Sequence, residues 1–212
     1  MDITTRDDEK KTARVESFSD CVISIAITLL ILNIKVPTIA ETAGASLSAR
    51  LLSSWPSFLA FAISFGMVLV MWVNHHRVLR LVRTTDYPFL YWNGFLLMTI
   101  TFVPYPTALL AEHLRGPHAA TAMAFYAATA VVVAVAYSAL WRHLVRHPEL
   151  LLKSADPCEV EAISQQYRFG PLMYLIAFGV AFVSVDVSIA ICFILALYFG
   201  IAGCPRDPKC QT

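Results

Sequence analysis

The chain has 212 residues, of which 58% are hydrophobic and 15% are charged, and its formal net charge is +1. Soluble domains are about 45–50% apolar and about 25% charged, so this composition disfavours a soluble enzyme and indicates a membrane protein. The near-neutral charge supplies no basic excess to neutralise phosphates, so no nucleic-acid partner is expected.

The first hydrophobic stretch is short for a membrane span. Only 14 uncharged residues lie between Asp20 and Lys35, which is about 21 Å of helix against about 30 Å of hydrocarbon. We therefore predict a helix over 15–36 whose polar start is shielded by protein, as in the interior of a helix bundle. The alternative is a signal peptide cleaved at 43–45. Acidic residues are no rarer than basic ones before the stretch, which favours a retained helix.

Uncharged stretches also define the remaining spans. Residues 51–76, 87–111 and 116–141 carry no charge, and each is long enough to cross a membrane. Residues 169–185 and 187–205 are separated by Asp186 alone and are together too long for one span, so a tight hairpin at 184–186 is predicted. The sequence thus predicts an all-α polytopic membrane protein, a single domain over 1–212 with six transmembrane helices. Their predicted bounds are 15–36, 50–74, 87–111, 118–141, 169–185 and 187–204.

Lysine and arginine are distributed unevenly between alternate loops. If both termini are cytoplasmic, thirteen of these residues lie inside and three lie outside, which is a strong positive-inside bias. An odd number of spans would break this pattern, so both termini are predicted to be cytoplasmic. The longest loop, 147–168, then lies inside, where Asp156 and Pro157 are predicted to cap a short surface helix.

The sequence offers little for catalysis. It contains no G-x-x-x-x-G-K, G-x-S-x-G or H-E-x-x-H motif, so we predict that the protein is not an enzyme. His143 and His147 are spaced i, i+4 at the inner end of the fourth helix, a spacing that suits a metal ion. The sequence shows no evident third ligand, and histidine is common at membrane interfaces, so neither a metal nor a cofactor is predicted.

The first helix has two different faces. At 100° per residue, one narrow stripe runs along the helix, and Asp20 falls on the opposite side. The stripe consists of Ile25, Thr28, Leu29 and Leu32. Periodicity alone favours ordinary helix packing for it. A carboxylate within a span needs a partner, unless Asp20 is a helix cap or a surface acid. The candidate partners are Asn74, His75, His76, Arg77 and Asn93.

Several motifs together resemble one family. The segment R-V-E-S-F-S-D, from Arg14 to Asp20, opens the first span and is similar to the R-x-x-x-F-S-D signature of the transmembrane protein 175 family of potassium channels. W-x-N-H-H at the end of the second helix and F-V-P-Y-P on the third are similar to the prokaryotic members. The likeness extends over essentially the whole chain. Cys21 stands where a smaller residue often follows the signature.

The resemblance implies a potassium-selective channel in the cell (plasma) membrane that uses no cofactor. Prokaryotic members are homotetramers in which helix 1 of each subunit lines the pore. The implied partners are therefore potassium ions, the lipid bilayer and further copies of the same chain. Like the family, the sequence lacks the T-V-G-Y-G filter of ordinary potassium channels.

The resemblance also assigns roles to individual residues. Apolar rings on helix 1 form the constriction, a hydrophobic gate that is also the selectivity element, at positions that correspond to the stripe of Ile25, Thr28, Leu29 and Leu32. A network at the cytoplasmic side buttresses this helix against helices 2 and 3. The implied network consists of Arg14, Phe18, Ser19, Asp20, Trp72, Asn74, His75, His76 and Asn93.

Two other transport functions remain open from the sequence. A proton-conducting channel would use the same pore. A secondary transporter would use helices broken near the membrane midplane and often contains repeated halves. Pro104 and Pro106 are candidates for such a break, but they lie towards the outer end of the third helix, and the sequence shows no internal repeat.

Overall fold

The structure is a computed structural model that describes residues 3–39 and 46–201, with side chains from residue 11 onward. Within these ranges the chain forms eight α-helices. They are α1 (Ile3–Leu29), α2 (Leu47–Ser53), α3 (Trp55–Leu79), α4 (Tyr87–Phe102), α5 (Pro104–His113), α6 (Ala119–Arg146), α7 (Pro157–Val180) and α8 (Val185–Ile201). Short 3₁₀ turns follow α1 at Leu30–Asn33 and α6 at Pro148–Leu150. The described ranges contain no strand, only an isolated bridge between Val82 and Leu151. The predicted all-α class is therefore confirmed.

Four helical segments are long and apolar enough to cross a membrane. They are Lys11–Asn33, Trp55–Leu79, Tyr87–His113 and Ala119–Arg146. The fifth and sixth predicted spans fall on α7 and α8. α8 is apolar but has only 17 residues, and α7 begins with a polar segment that contains Glu159 and Glu161.

The third predicted span, 87–111, falls within Tyr87–His113, which is long and apolar enough to cross a membrane, but its helix is interrupted. It is divided at Val103 into α4 and α5. Pro104 and Pro106 have no N–H group, so two helical hydrogen bonds are missing, at alternate residues. The N–H of Val103 instead donates to the Ile100 carbonyl over 3.1 Å, in a tighter turn. The fourth helix also differs from its predicted end at 141, since α6 continues to Arg146.

The predicted surface helix after Asp156 is not separate from the fifth predicted span. One helix, α7, runs through both, and its cap is Asp156, whose carboxylate accepts the N–H of Cys158 over 2.9 Å. The turn to α8 occupies 181–184, so it begins earlier than the predicted hairpin at 184–186. Asp186 lies in the first turn of α8, where the helix dipole favours a negative charge. The predicted helix end at 204 and the alternative cleavage site at 43–45 lie outside the described residues.

Packing places α1 against the other helices along one side only. α6 and α7 form the most extensive helix pair, and α3 contacts α1, α5 and α8. α1 packs on α3 and α4 through small and apolar side chains. On this side, Ser19, Ile23 and Ala26 of α1 and Leu30 directly after it are each at most 2% exposed. The opposite side of α1 has no neighbour within the described part of the subunit.

Candidate functional site

The predicted stripe lies on the exposed side of α1. Ile25 is 59% exposed, Leu29 43% and Leu32 72%, and Thr28 is exposed as well. A group of adjacent, exposed apolar side chains normally marks a surface that another molecule or the membrane covers. The hydroxyl of Thr28 bonds to the carbonyls of Ser24 and Ile25, each over 2.9 Å. Its hydrogen is thereby used within the helix, and its oxygen lone pairs remain available on the exposed side.

Arg14 and Phe18 share this exposed face. At 100° per residue, both lie within about 20° of Ile25. Phe18 is 63% exposed, and Arg14 makes no hydrogen bond or ion pair with the described residues. The network that the family resemblance implies therefore does not include these two side chains within the subunit. They line a wide groove that also contains Lys11 and Tyr87.

The opposite face of α1 is held by a chain of three buried polar side chains. The amide Nδ2 of Asn93 donates to Ser19 Oγ over 3.0 Å, and its Oδ1 lies 2.8 Å from His75 Nε2. Because an amide oxygen only accepts, His75 carries its proton on Nε2. The Ser19 hydroxyl donates in turn to the Val15 carbonyl over 2.8 Å. All three side chains are at most 3% exposed, so direct, buried hydrogen bonds link α1, α4 and α3.

A second pair of contacts lies beside the first. Trp72 Nε1 donates to Asp20 Oδ1 over 2.9 Å, and His76 Nδ1 lies 3.1 Å from Glu16 Oε1. Glu16 and Asp20 are one helical turn apart on α1, and so are Trp72 and His76 on α3, so the two pairs form a ladder. The rings of Trp72 and His76 stack at 6.1 Å. The hydrogen-bond partner of Asp20 is therefore the indole of Trp72. The prediction of a partner among the candidates from Asn74 to Arg77 or at Asn93 is wrong.

Asn74 does not join these contacts. Its Nδ2 donates to the carbonyls of Val70 and Phe199, over 2.9 Å and 3.2 Å. Asn74 therefore faces α8 and lies on the side of α3 away from α1. The prediction that Asn74 belongs to the same network is therefore wrong, although Asn74 adjoins His75 in the sequence.

Sequence reasoning missed two contacts of α1. Glu16 lies within the signature, and its i, i+4 spacing to Asp20 was the available signal. Asn33 lies in the 3₁₀ turn directly after α1, and its Nδ2 donates to the Pro104 carbonyl over 3.0 Å. No sequence pattern points to this contact, because it depends on the position of the break between α4 and α5.

The histidines at the C-terminal end of α6 pair with carboxylates. His143 Nε2 lies 3.0 Å from Asp86, and His147 Nδ1 lies 3.1 Å from Glu149. Partial burial acts to raise the pKa of Asp86, but hydrogen bonds from the Phe89 N–H and from His143 outweigh it, so its pKa lies below the ordinary value. No cluster of three or more potential metal ligands occurs among the described residues.

Comparison with known proteins matches the chain to one family. A family model described as the endosomal/lysosomal potassium channel TMEM175 matches residues 14–104, beginning at the first residue of the signature. A potassium channel of Chamaesiphon minutus is 53% identical over 196 residues, which cover 92% of this chain and 96% of the relative. The chain belongs to the TMEM175 family. The resemblance found in the sequence is thus confirmed.

Further TMEM175 relatives agree in sequence and in fold. A potassium channel of Streptomyces collinus is 41% identical and covers 92% of this chain and 94% of its own length. The crystal structure of a lysosomal potassium-selective channel TMEM175 homolog from Chamaesiphon minutus superposes with a TM-score of 0.83 at 50% identity, covering 92% of this chain and 98% of that one. The TMEM175 family is a family of ion channels and not a class of enzymes.

Proposed function

We propose that this TMEM175-family chain is a potassium-selective channel of the cell (plasma) membrane, which assembles as a homotetramer with α1 of each subunit lining the pore. The observation that carries the proposal is the exposed stripe of α1, opposite the face that the buried polar chain fixes. Thr28 is exposed in this stripe among the apolar residues. Such a mixed face suits a narrow aqueous path better than hydrocarbon. The relatives that cover over 90% of the chain are named potassium channels.

Four copies of the stripe around an axis would form successive apolar rings of Ile25, Leu29 and Leu32. Hydrophobic constrictions gate by dewetting, and their diameter determines which partly hydrated ion passes. Potassium loses its water more readily than sodium, so a tight apolar ring favours potassium without carbonyl ligands. The outward lone pairs of Thr28 supply transient oxygen contacts between the rings. The permeant ion is therefore the only small molecule that the mechanism requires.

The proposed topology has six spans with both termini in the cytoplasm. The thirteen-to-three distribution of lysine and arginine supports it. The hairpin contact between α7 and α8 supports a fifth and a sixth span, because Ser188 Oγ donates to the Ala177 carbonyl over 2.7 Å across the turn. Ion pairs at the inner ends of α3 and α6 lie at the same side of the bundle, as even-numbered spans require.

Ion flux into liposomes tests the role of the stripe. Ile25→Asn should hydrate the constriction and raise sodium flux relative to potassium flux towards equality, because a polar amide removes the dewetting barrier. Purified protein is reconstituted, and potassium and sodium fluxes and reversal potentials under mixed gradients are measured separately. Ile31→Asn is the matched control, since Ile31 is 52% exposed on the same segment but lies off the stripe. An unchanged potassium-to-sodium ratio in Ile25→Asn would contradict the proposed constriction.

The same preparation distinguishes the alternative functions. A channel conducts without a co-substrate, whereas a secondary transporter requires one. A pH-sensitive dye inside the liposomes reports proton movement through the same protein. Native mass measurement should give four times the 23.5 kDa chain mass. A smaller assembly that still conducts would exclude the tetrameric pore.

A further inference from the structure

A groove with a basic lining lies between the inner ends of α6 and α7. Its volume is about 450 Å³, and its walls include Arg142 and Val145 from α6 and Ser164 and Arg168 from α7. Trp141 closes its base and is only 3% exposed. The groove is formed by α6 and α7, whereas α1 packs on α3 and α4, so the groove is separate from the proposed pore.

The two arginines of the groove lack a counter-charge within the described residues. No carboxylate there forms an ion pair with Arg142 or Arg168, and both side chains are exposed. The neutral polar groups of the walls are already bonded to each other, since Trp141 Nε1 donates to Ser164 Oγ over 2.9 Å. The two guanidinium groups therefore have no hydrogen-bond partner among the described residues, although Arg168 lies over the Phe169 ring at 5.7 Å. Both can donate to an anion with several oxygens, such as a phosphate.

Apolar side chains continue from each arginine towards the middle of the membrane. Val135 lies seven residues before Arg142 on the same face of α6 and is 44% exposed. On α7, Leu172 and Leu175 lie four and seven residues beyond Arg168 and are 56% and 51% exposed. A ligand that fits both parts of this surface has an anionic head and a hydrocarbon tail. A soluble phosphate would leave the apolar part unused.

We propose that this groove binds the phosphate headgroup of an anionic phospholipid, with its acyl chains along α6 and α7. α6 is long and apolar enough to cross the membrane, and its arginine lies at the end where headgroups meet the helix. Basic pockets between spans at this level bind anionic lipid headgroups, and each arginine near the surface contributes about a fivefold preference for them. The proposal depends on the membrane position of α6 and α7, and it does not depend on which ion the protein conducts.

Native mass spectrometry of the purified protein tests the proposal with phosphatidylglycerol and phosphatidylcholine of identical acyl chains. The wild type should retain phosphatidylglycerol preferentially. Arg142→Gln and Arg168→Gln should each reduce that preference about fivefold, and the double variant should abolish it. Arg146→Gln is the matched control, because it removes the same charge one turn further along α6 but outside the groove. The proposal would be overturned if Arg146→Gln lost as much of the phosphatidylglycerol preference as the groove variants, or if the double variant kept all of it.

Two further measurements separate the possible causes of a loss. Arg142→Lys with Arg168→Lys keeps both charges and should retain most of the preference, which shows whether any loss in the glutamine variants arises from charge or from misfolding. Glycerol phosphate should not displace the lipid at equal concentration, and displacement would show that the groove recognises phosphate without a lipid. Potassium flux is measured on the same samples. A wild type that fails to conduct would count against the proposed function and leave the lipid result standing.

Discussion

Asn93 shows how one buried amide sets the position of α1. Its donor group is bonded to Ser19 and its acceptor group to His75, so both ends of the amide are satisfied. All three side chains are at most 3% exposed, so neither bond is readily replaced by solvent. A rotation of α1 by one residue would remove Ser19 from Asn93 and turn the exposed stripe into the bundle. The polar chain therefore determines which face of α1 is presented outward.

Asn93→Ala should lower the free energy of unfolding by about 1–3 kcal/mol, because it leaves the His75 Nε2 proton without its partner in a buried site. Thermal unfolding in detergent, followed by tryptophan fluorescence, measures the change. Thr101→Ala is a suitable control, since Thr101 is exposed on the same helix and bonds only to the Met98 carbonyl of its own helix. A stability loss no larger than that of the control would show that the amide is not structurally important.

At the scale of whole elements, α1 is fixed near both of its ends. Asp20 and Ser19 bind its inner half to α3 and α4, and Asn33 binds its outer end to the break after α4. The middle of the helix, which carries Ile25, is packed only through small and apolar side chains. An element held in this way keeps its register while one face remains open for assembly.

Asp20→Ala should reduce the fraction of assembled protein, because it frees the Trp72 N–H and loosens α1 by about 1–2 kcal/mol. Asp20→Asn keeps an oxygen acceptor for the indole and should retain most of the assembly. Ser24→Ala serves as the control, as its hydroxyl is exposed and bonds only to the Asp20 carbonyl of its own helix. Size-exclusion chromatography with light scattering gives the assembled fraction. Normal assembly of Asp20→Ala would remove Asp20 from the support of α1.

The sequence indicated some of these elements well and others poorly, for physical reasons. The length argument placed the start of the first helix before Asp20, and α1 does run through this residue. Hydropathy did not divide the third helix, because the residues from 87 to 111 on both sides of Pro104 are uncharged, and only the missing N–H groups mark the break. Hydropathy also predicts two separate helices where the structure has α7 alone, because the composition of α7 changes from polar to apolar while the helix continues.

For the candidate site, the sequence predicts only which residues share a face of the first helix. Periodicity separated the Ile25 stripe from Asp20, and the structure places them on different sides of α1. It did not identify Trp72 as the partner, because the turn of α3 that faces Asp20 is set by packing between the helices. Asn74 and His75 are adjacent in sequence yet point to different neighbours, as successive residues on a helix do.

At the scale of the whole molecule, hydrogen bonds between distant segments hold together the end of the bundle at the C-termini of α3 and α6, which is the inner end in the proposed topology. The Arg83 N–H donates to the Leu150 carbonyl over 2.7 Å, and the Leu152 N–H donates to Leu81 over 2.9 Å. Arg77 Nε donates to Glu159 over 3.1 Å, and this pair links α3 to α7. These contacts join the loop after α3 to the loop after α6. The helices that support α1 are thereby fixed to the α6–α7 pair.

The Asp86–His143 pair belongs to this inner end and should make its stability depend on pH. Folding lowers the pKa of Asp86 through the Phe89 N–H and His143, although partial burial opposes the shift. A carboxylate whose pKa is lowered in the folded state stabilises it above the unfolded value, near 3.9, and this contribution is lost as pH falls through the folded value.

Asp86→Asn keeps an oxygen cap for α4 but loses the charge, so the wild type should be more stable at about pH 6, by less than about 1 kcal/mol because the carboxylate is partly exposed. The difference should shrink as pH falls below about 4, since protonation makes the two side chains nearly equivalent. Thermal unfolding of both proteins across this pH range measures the difference in their stability. Glu161→Gln, an exposed substitution on α7, gives the baseline for a charge outside the pair. A wild-type advantage that stays constant down to about pH 3 would show that the Asp86 charge does not stabilise the inner end.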